Sequence, residues 1–451
     1  MWSPSYRLLT AGLLLVVSAA AFESLAVATI LPMVVRELGG LELYGWAFSL
    51  FTLANLLGIT LAGSAADRRG PALPLAVGIG VFIVGLVAGG LAPTMPVLIA
   101  SRAVQGFGSG LLTAAVYVAI GRSYADTLRA RMLASLSSAW VLPGLIGPAA
   151  AGLIADYLGW RWVFLGLIPL PLLAALLLWA PLWHFPRLPE TTTRHWRRVY
   201  DAAQLTLGVG LVLTGLSAAF SWSTTGLSLV GVGLSLHAFR RLTPPGTLRA
   251  ATGLPATIAT MSLLNLAFFG VDVFIPLALT TGRGQRVWVS GLAYTATSLG
   301  WAAGAWVVER RAARQSRRRL VRAGLQLVAL GIVVLATTTW PAIPALLAIP
   351  AWGIAGVGMG LAYTTISLTV LDLAPQGQEG TATAAMQLGD RIGTAFGAGI
   401  GGVLIGTARP APLNSTIAAH YLLMLTVISL GVWVARRVPD HVVSASASRQ
   451  G

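Results

Sequence analysis

The chain has 451 residues, of which 56% are hydrophobic and only 10% charged, and its mean hydropathy is +0.78. Soluble domains carry about 25% charged residues, so this composition excludes a soluble protein and indicates an integral membrane protein. Cysteine is absent, which excludes disulfides, thiolate metal sites and cysteine nucleophiles. The net charge of +16 comes from arginine alone among basic residues.

Apolar runs of about 20 residues, the length of a membrane-spanning helix, recur from Leu8 to Val434. We take the first run as a retained span, because no small-residue cleavage site and soluble body follow it. The runs predict fourteen helices, at 8–35, 44–65, 72–92, 96–121, 132–156, 161–183, 202–221, 225–239, 253–279, 287–307, 321–339, 343–371, 381–407 and 415–435. The run 225–239 is short for a bilayer, and a loop without a hairpin is the alternative there.

The arginines predict the orientation, since cytoplasmic loops hold the excess of basic residues. With the first helix starting inside, the opposite face keeps only five of them: Arg36, Arg161, Arg283, Arg286 and Arg409. Both termini are therefore expected in the cytoplasm of a bacterial cell, with the protein in the inner membrane. The basic charge is then a topology signal, and no nucleic-acid partner is expected.

An internal repeat links the two ends of the chain. The segment 106–111, GFGSGL, recurs at 356–361 as GVGMGL, 250 residues later. Asp272 follows Glu23 by 249 residues, and Glu309-Arg310-Arg311 is a weaker echo of the loop at 63–70. Parallel repeats of this kind are typical of alternating-access transporters, whose substrate site lies between the halves.

The repeat predicts an all-α polytopic fold of two six-helix bundles with an inserted helical hairpin. The expected parts are an N-terminal bundle over 1–183, a cytoplasmic linker with two extra helices over 184–250, a C-terminal bundle over 251–437 and a cytoplasmic tail over 438–451.

Four motifs make the sequence similar to the major facilitator superfamily, and to its fourteen-helix drug/proton antiporters. GSAADRRG at 63–70 resembles the family's loop between helices two and three, and RAVQG at 102–106 its fourth-helix signature. PGLIGPAAAG at 143–152 resembles the fifth-helix motif of antiporters, and GWRWVF at 159–164 the entry into helix six. The resemblance implies drug export in exchange for protons by a protein that is expected to be a monomer.

Two acids lie within predicted spans. Glu23 is near the middle of the first helix, and Asp272 is its repeat mate, four residues before Pro276, which frees a backbone carbonyl. Acids inside a membrane are functional candidates, and burial disfavours their charged form. Glu23 is predicted to carry protons or to balance a cationic substrate; a permanently paired carboxylate is the alternative. The same choice applies to Asp272.

Three further charges lie within predicted helices. Arg102 stays protonated, so its candidate role is coupling through a nearby acid, which the resemblance implies, or helix packing. Asp390 and Arg391 are adjacent on one helix and point in different directions, which makes them poor partners for each other. Asp390 is a candidate for proton coupling and Arg391 for the substrate cavity, with a structural cross-link between the halves as the alternative.

The remaining candidates form three sets. Cavity-lining residues are expected to be Tyr117, Trp140, Phe269 and Gln105. A conformational latch at the inner helix ends is implied by the resemblance for Gly63, Asp67, Arg68, Arg69 and Gly70. Close helix packing, which needs no ligand, is expected at Gly144, Gly147, Pro148 and Gly152.

These observations predict a secondary transporter that exports a small lipophilic or cationic compound in exchange for protons. Export or flipping of a lipid or an endogenous metabolite is the alternative. A membrane enzyme is less well supported, because the five histidines are scattered and no metal or nucleophile motif occurs; no cofactor is expected. A channel would need a polar ring or filter, which the sequence does not show.

Overall fold

The computed structural model describes residues 6–124, 126–183, 196–217, 221–311, 315–375, 378–407 and 412–440. This part of the chain is built from helices and short connections. The α-helices are α1 (Arg7–Leu38), α2 (Tyr44–Arg69), α3 (Ala72–Gly90), α4 (Met95–Ser123), α5 (Asp126–Ser138), α6 (Val141–Leu158), α7 (Arg161–Leu165), α8 (Pro169–Trp183), α9 (Trp196–Ser217), α10 (Trp222–Leu242), α11 (Leu254–Asp272), α12 (Ile275–Leu277), α13 (Val287–Arg311), α14 (Arg317–Thr337), α15 (Ala348–Leu373), α16 (Glu379–Thr407) and α17 (Leu413–Val434).

These helices form the fourteen predicted segments, because α5 with α6, α7 with α8, and α11 with α12 are interrupted spans. Eleven segments are long and apolar enough to cross a membrane. The other three, α10, α13 and α16, reach 21, 25 and 29 residues but carry more polar side chains. The segment predicted at 225–239 is longer than expected, since Ser221 caps its start. Its 21 residues extend about 31 Å, close to the hydrocarbon thickness.

Proline accompanies all three interruptions, and the predicted continuous helices at 132–156, 161–183 and 253–279 need correction there. Proline has no N–H, so it leaves the carbonyl four residues earlier without its helical partner. Pro143 frees the carbonyl of Ala139, which instead accepts a bond from Ser18 Oγ at 3.1 Å. Pro169 likewise lies four residues after Leu165, the last residue of α7, and cannot donate the helical hydrogen bond to its carbonyl.

The two copies of the glycine motif make equivalent contacts. In the first copy, a Cβ added to Gly106 or Gly110 would collide with α2 backbone, and one added to Gly108 with α3 backbone. In the second copy, Gly356 and Gly360 meet α13 in the same way, and Gly358 meets α14. The repeat therefore specifies a glycine-faced helix wedged between two neighbours in each half of the chain.

Helices from the two halves meet along two seams. At the first, α2 approaches α16 so closely that a Cβ on Gly45 would lie 2.7 Å from the Gly402 Cα, and Ser49 Oγ donates to the Ala395 carbonyl at 2.8 Å. At the second seam, α6 packs on α13. These contacts lie toward the end of the bundle predicted to be extracellular, which we call the outer end. The domain limits at 183 and 251 stay a prediction.

The inserted hairpin lies against the first seam. Its helix α9 contacts both α2 and α16. The contact is apolar and joins side chains of all three helices in one buried cluster: Leu53 and Leu56, Leu205, Val209 and Leu213, and Leu388 and Ala395. The hairpin is thus attached to both halves.

The glycine wedge can be tested on one helix with a matched control. Gly110→Ala should lower the unfolding free energy by about 1–3 kcal/mol, because the methyl group has no room against the Asn55 carbonyl. Gly121→Ala, on the same helix but facing open space, should be neutral or stabilise by up to about 1 kcal/mol. Thermal unfolding of the purified protein in detergent measures both, and equal midpoints would contradict the wedge.

Candidate functional site

Glu23 and Arg102 form a buried ion pair between α1 and α4. Glu23 is fully buried and Arg102 is 2% exposed. The Arg102 guanidinium also donates to Gln105 Oε1 and, at 3.3 Å, to the Ala47 carbonyl, and it lies 4.2 Å from the centre of the Phe51 ring. Four partners thus fix the guanidinium, and the negative charge of Glu23 is compensated.

Gln105 extends this network to a third helix. Its Nε2 donates to the Gly85 carbonyl on α3 at 2.8 Å, and the residue is fully buried. Both ends of the Gln105 amide are thus engaged inside the N-terminal half, and its place in the substrate cavity stays a prediction. The second carboxylate oxygen of Glu23 has no hydrogen-bond donor among the described residues.

Asp272 is held by a neutral donor. Its Oδ1 accepts a hydrogen bond from Trp352 Nε1 on α15 at 2.7 Å, and Phe268 stacks on the Trp352 ring with centroids 4.8 Å apart. Asp272 is buried, and within the described part of the chain it has no arginine or histidine partner. It is therefore a buried acid whose charge, when present, is not compensated by a cation.

The backbone breaks immediately after Asp272. Pro276 frees the Asp272 carbonyl, as its position in the sequence predicts, and Tyr294 from α13 donates to that carbonyl at 2.9 Å. The next carbonyl, of Val273, accepts a bond from Tyr44 of α2, also at 2.9 Å. A π-helical turn over Ala278–Gly282 follows. Two tyrosines thus replace helical hydrogen bonds beside the acid.

The two acids and their donors are repeat mates. Trp352 follows Arg102 by 250 residues, the same offset that separates the glycine motifs, and Asp272 follows Glu23 by 249. Each half therefore joins its first helix to its glycine-faced helix through an acid and a donor. The donor is a cation in the N-terminal half and an indole N–H in the C-terminal half.

Trp352, Tyr294 and Tyr44 were missed by sequence reasoning. The repeat offset applied to Arg102 could have identified Trp352. The carbonyl freed by Pro276 indicates that a donor is needed there, but the sequence carries no signal for which side chain supplies it.

Asp390 and Arg391 lie on α16, and no hydrogen bond or ion pair in the described part of the chain joins them to Glu23 or Asp272. Asp390, buried on α16, accepts a bond from the Tyr363 hydroxyl of α15 at 3.3 Å. The structure records no ion pair between Asp390 and Arg391 in the residues it describes, which agrees with their predicted divergence. Arg391 is partly buried, and its Nε has no acceptor among these residues.

The predicted cavity aromatics differ in exposure. Tyr117 and Trp140 are 51% and 49% exposed, and Trp140 stands at the break between α5 and α6. Phe269 is partly buried and meets Phe268 edge to face, with centroids 5.2 Å apart. The structure therefore does not gather these three rings into one enclosed pocket.

The predicted packing motif forms the second seam. A Cβ on Gly144 would lie 2.7 Å from Ser298 Oγ, and one on Gly152 would lie 3.1 Å from the Trp288 Cα. Pro148 faces Gly291, while Gly147 faces Phe22 of α1. The motif thus packs α6 against α13 and α1, as expected of small residues between membrane helices.

The predicted latch can be placed only in part. Gly70 ends α2 with a φ of +86°, a conformation that favours glycine. Gly63 lies on the last turns of α2 with open space around its Cα. The side chains of Asp67, Arg68 and Arg69 lie outside the described residues. No group of three metal-binding side chains occurs in the described ranges.

Comparisons with known proteins agree with this architecture. A family model described as the Major Facilitator Superfamily matches residues 13–398. A protein of Mycobacterium tuberculosis named a probable multidrug-efflux transporter is 28% identical over 404 residues, covering 84% of each chain. The Staphylococcus aureus multidrug efflux pump SdrM is 24% identical and covers 94% of each chain.

Solved structures support the fold at low sequence identity. A transporter of the POT family in complex with 5-aminolevulinic acid is 14% identical with a TM-score of 0.70, covering 95% of this chain and 96% of its own. A D-xylose-proton symporter, also 14% identical, has a TM-score of 0.66 and covers 96% and 97%. These similarities describe how the helices are arranged.

The buried pair should behave unlike a surface pair. Arg102→Gln should cost about 3–5 kcal/mol of unfolding free energy, because it leaves the Glu23 carboxylate buried and uncompensated. The double variant Glu23→Gln with Arg102→Gln should recover part of that loss. Arg241→Gln, which removes the 3.4 Å pair between Asp201 and a 58% exposed Arg241, should cost less than about 1 kcal/mol.

Unfolding of the wild type, of the single variants Glu23→Gln and Arg102→Gln, and of the double variant gives the coupling between Glu23 and Arg102 as a double-mutant cycle. Strictly additive losses at these two positions would show that the pair does not stabilise the fold.

Proposed function

The chain belongs to the Major Facilitator Superfamily, and from this premise we propose that it is a secondary transporter that exports small lipophilic or cationic compounds in exchange for protons. Membership makes it a multi-pass membrane transporter rather than an enzyme. The names of three bacterial relatives, which describe multidrug transporters or efflux pumps, support drug-like substrates and export. We further propose the bacterial inner membrane, cytoplasmic termini and a monomeric protein.

One observation supports the proton coupling. Arg102 balances the charge of Glu23, whereas Asp272 has no cationic partner in the described part of the chain. Protonating Glu23 would leave Arg102 as an uncompensated buried charge, whereas protonating Asp272 removes one. We therefore assign the exchangeable proton to Asp272 and treat Glu23 with Arg102 as a fixed neutral pair. Asp390 is a secondary candidate, because its described hydrogen-bond donor, Tyr363, is also neutral.

Coupling then follows from differential affinity. A state open to the cytoplasm binds the compound, and a state open to the outside binds the proton, so loading one ligand favours release of the other. The seams that the structure closes at the outer end correspond to the first of these states. The latch residues Asp67, Arg68 and Arg69 are proposed, from the motif they match, to hold the inner helix ends together in the second.

Exposed aromatic side chains support the proposed class of substrate. Tyr117 and Trp140 are exposed aromatic surfaces that suit a lipophilic ligand. A lipid or an endogenous metabolite has similar apolar surface, and its export is the second candidate function.

Proteoliposomes with a pH gradient test the assignment, with substrate and proton movement followed together. We expect Asp272→Asn to fold normally and to lose at least about tenfold in coupled flux, because the exchangeable site is gone. Glu37→Gln, which alters a half-exposed carboxylate at the outer end, should transport like the wild type.

The assay panel should contain lipophilic cations, neutral lipophilic compounds and lipids. Transport of lipids alone would select the second candidate. Substrate movement without proton movement in the wild type would contradict proton coupling. Loss of coupling in Glu23→Gln but not in Asp272→Asn would transfer the proton to Glu23.

A further inference from the structure

Tyr44 connects the two halves at the backbone break that follows Asp272. It begins α2 in the N-terminal half, is fully buried, and donates its hydroxyl hydrogen to the Val273 carbonyl in the C-terminal half at 2.9 Å. Its ring also packs on Phe274, with centroids 5.3 Å apart. The bonded carbonyl belongs to the residue that follows Asp272.

The surroundings of this bond identify it as part of the outer closure. The residue after Tyr44 is Gly45, which touches α16 near Gly402. Ser49, one turn further along α2, bonds the Ala395 carbonyl of the same helix. Any motion that separates α2 from the C-terminal half at the outer end must therefore break the bond between Tyr44 and Val273.

The bond differs in kind from its neighbours around Asp272. Tyr294 donates to the Asp272 carbonyl, and Trp352 to the Asp272 carboxylate, but both lie in the same half as the acid and can move with it. Tyr421, also fully buried, has a hydroxyl with no partner among the described residues. Among these groups, Tyr44 comes from the opposite half.

We propose that Tyr44 is a positioning residue that holds the outer gate, the contact of α2 with the C-terminal half at the outer end, closed over Asp272. The inference rests on the proposed alternating access. With the gate closed, the Tyr44 ring and hydroxyl cover the broken segment 272–274 from the outer side. When α2 separates, the Val273 carbonyl loses its donor and water replaces it, so the same motion that opens the gate gives Asp272 contact with the outside.

The chain supplies its own controls for this proposal. Tyr44→Phe leaves the Val273 carbonyl buried and unpaired in the closed state only, because water reaches it in the open state. Tyr294→Phe removes a bond that lies within one half and that the opening motion leaves intact. Tyr421→Phe removes a hydroxyl from the same cluster without removing a hydrogen bond between described residues.

The experiment measures the distance between spin labels at the outer end of purified protein in nanodiscs. Because the chain has no cysteine, Thr94→Cys and Ser415→Cys place one exposed label on each half in an otherwise unchanged background. We expect Tyr44→Phe to raise the ratio of open to closed populations by at least about fivefold, the effect of losing one buried hydrogen bond in one state. Tyr294→Phe should lower the thermal midpoint without this shift, and Tyr421→Phe should change neither.

An unchanged distance distribution in Tyr44→Phe, or an equal shift in Tyr294→Phe, would overturn the proposal. The measurement uses no substrate and no pH gradient. A failure here therefore leaves proton-coupled export standing, and a failure of coupled flux in proteoliposomes leaves the gate standing.

Discussion

The cost of burying a carboxylate in a membrane is the constraint on which the rest of this structure depends. Such a group needs a donor close by, and each half supplies one from its glycine-faced helix. Arg102 reaches Glu23, and Trp352 reaches Asp272. The glycines that let these helices approach their neighbours therefore also set the position of the donor. One repeated segment thus carries both the packing and the polar centre, and the identity of a single residue in it decides whether the acid is compensated.

Proline supplies the second recurring device. A proline inside a span frees one carbonyl, and in two places a side chain from another helix takes it. Ser18 bonds the carbonyl freed by Pro143, and Tyr294 bonds the one freed by Pro276. The hydrogen bond that the helix loses becomes a contact between helices. These two interruptions are thus points of attachment between helices.

Hydropathy and the arginine pattern predicted the fourteen segments because length and apolarity are local properties of the chain. The acids were found for the same reason, since a charge within an apolar run is visible without a fold. Their donors were harder, because Tyr44 and Tyr294 are ordinary residues until the break after Asp272 brings them to free carbonyls. Gln105 was singled out as a polar residue on a central helix, but the sequence did not indicate that its amide binds Arg102 and the Gly85 carbonyl. Exposure to a cavity depends on helix rotation, which periodicity in a nearly uniform apolar sequence does not fix.

The position of the inserted hairpin makes the two seams mechanically unequal. At the seam of α2 and α16, relative movement must disturb the leucine cluster that both helices share with α9. The seam of α6 and α13 has no counterpart of this hairpin in the described part of the chain, and lipid tails are about as apolar as the side chains they would replace. Separation there breaks the hydrogen bond that Thr295 Oγ1 donates to the Leu145 carbonyl at 3.0 Å and otherwise parts closely packed small residues. Opening the seam of α2 and α16 must therefore either carry α9 along with one half or separate the apolar side chains that α9 shares with both helices.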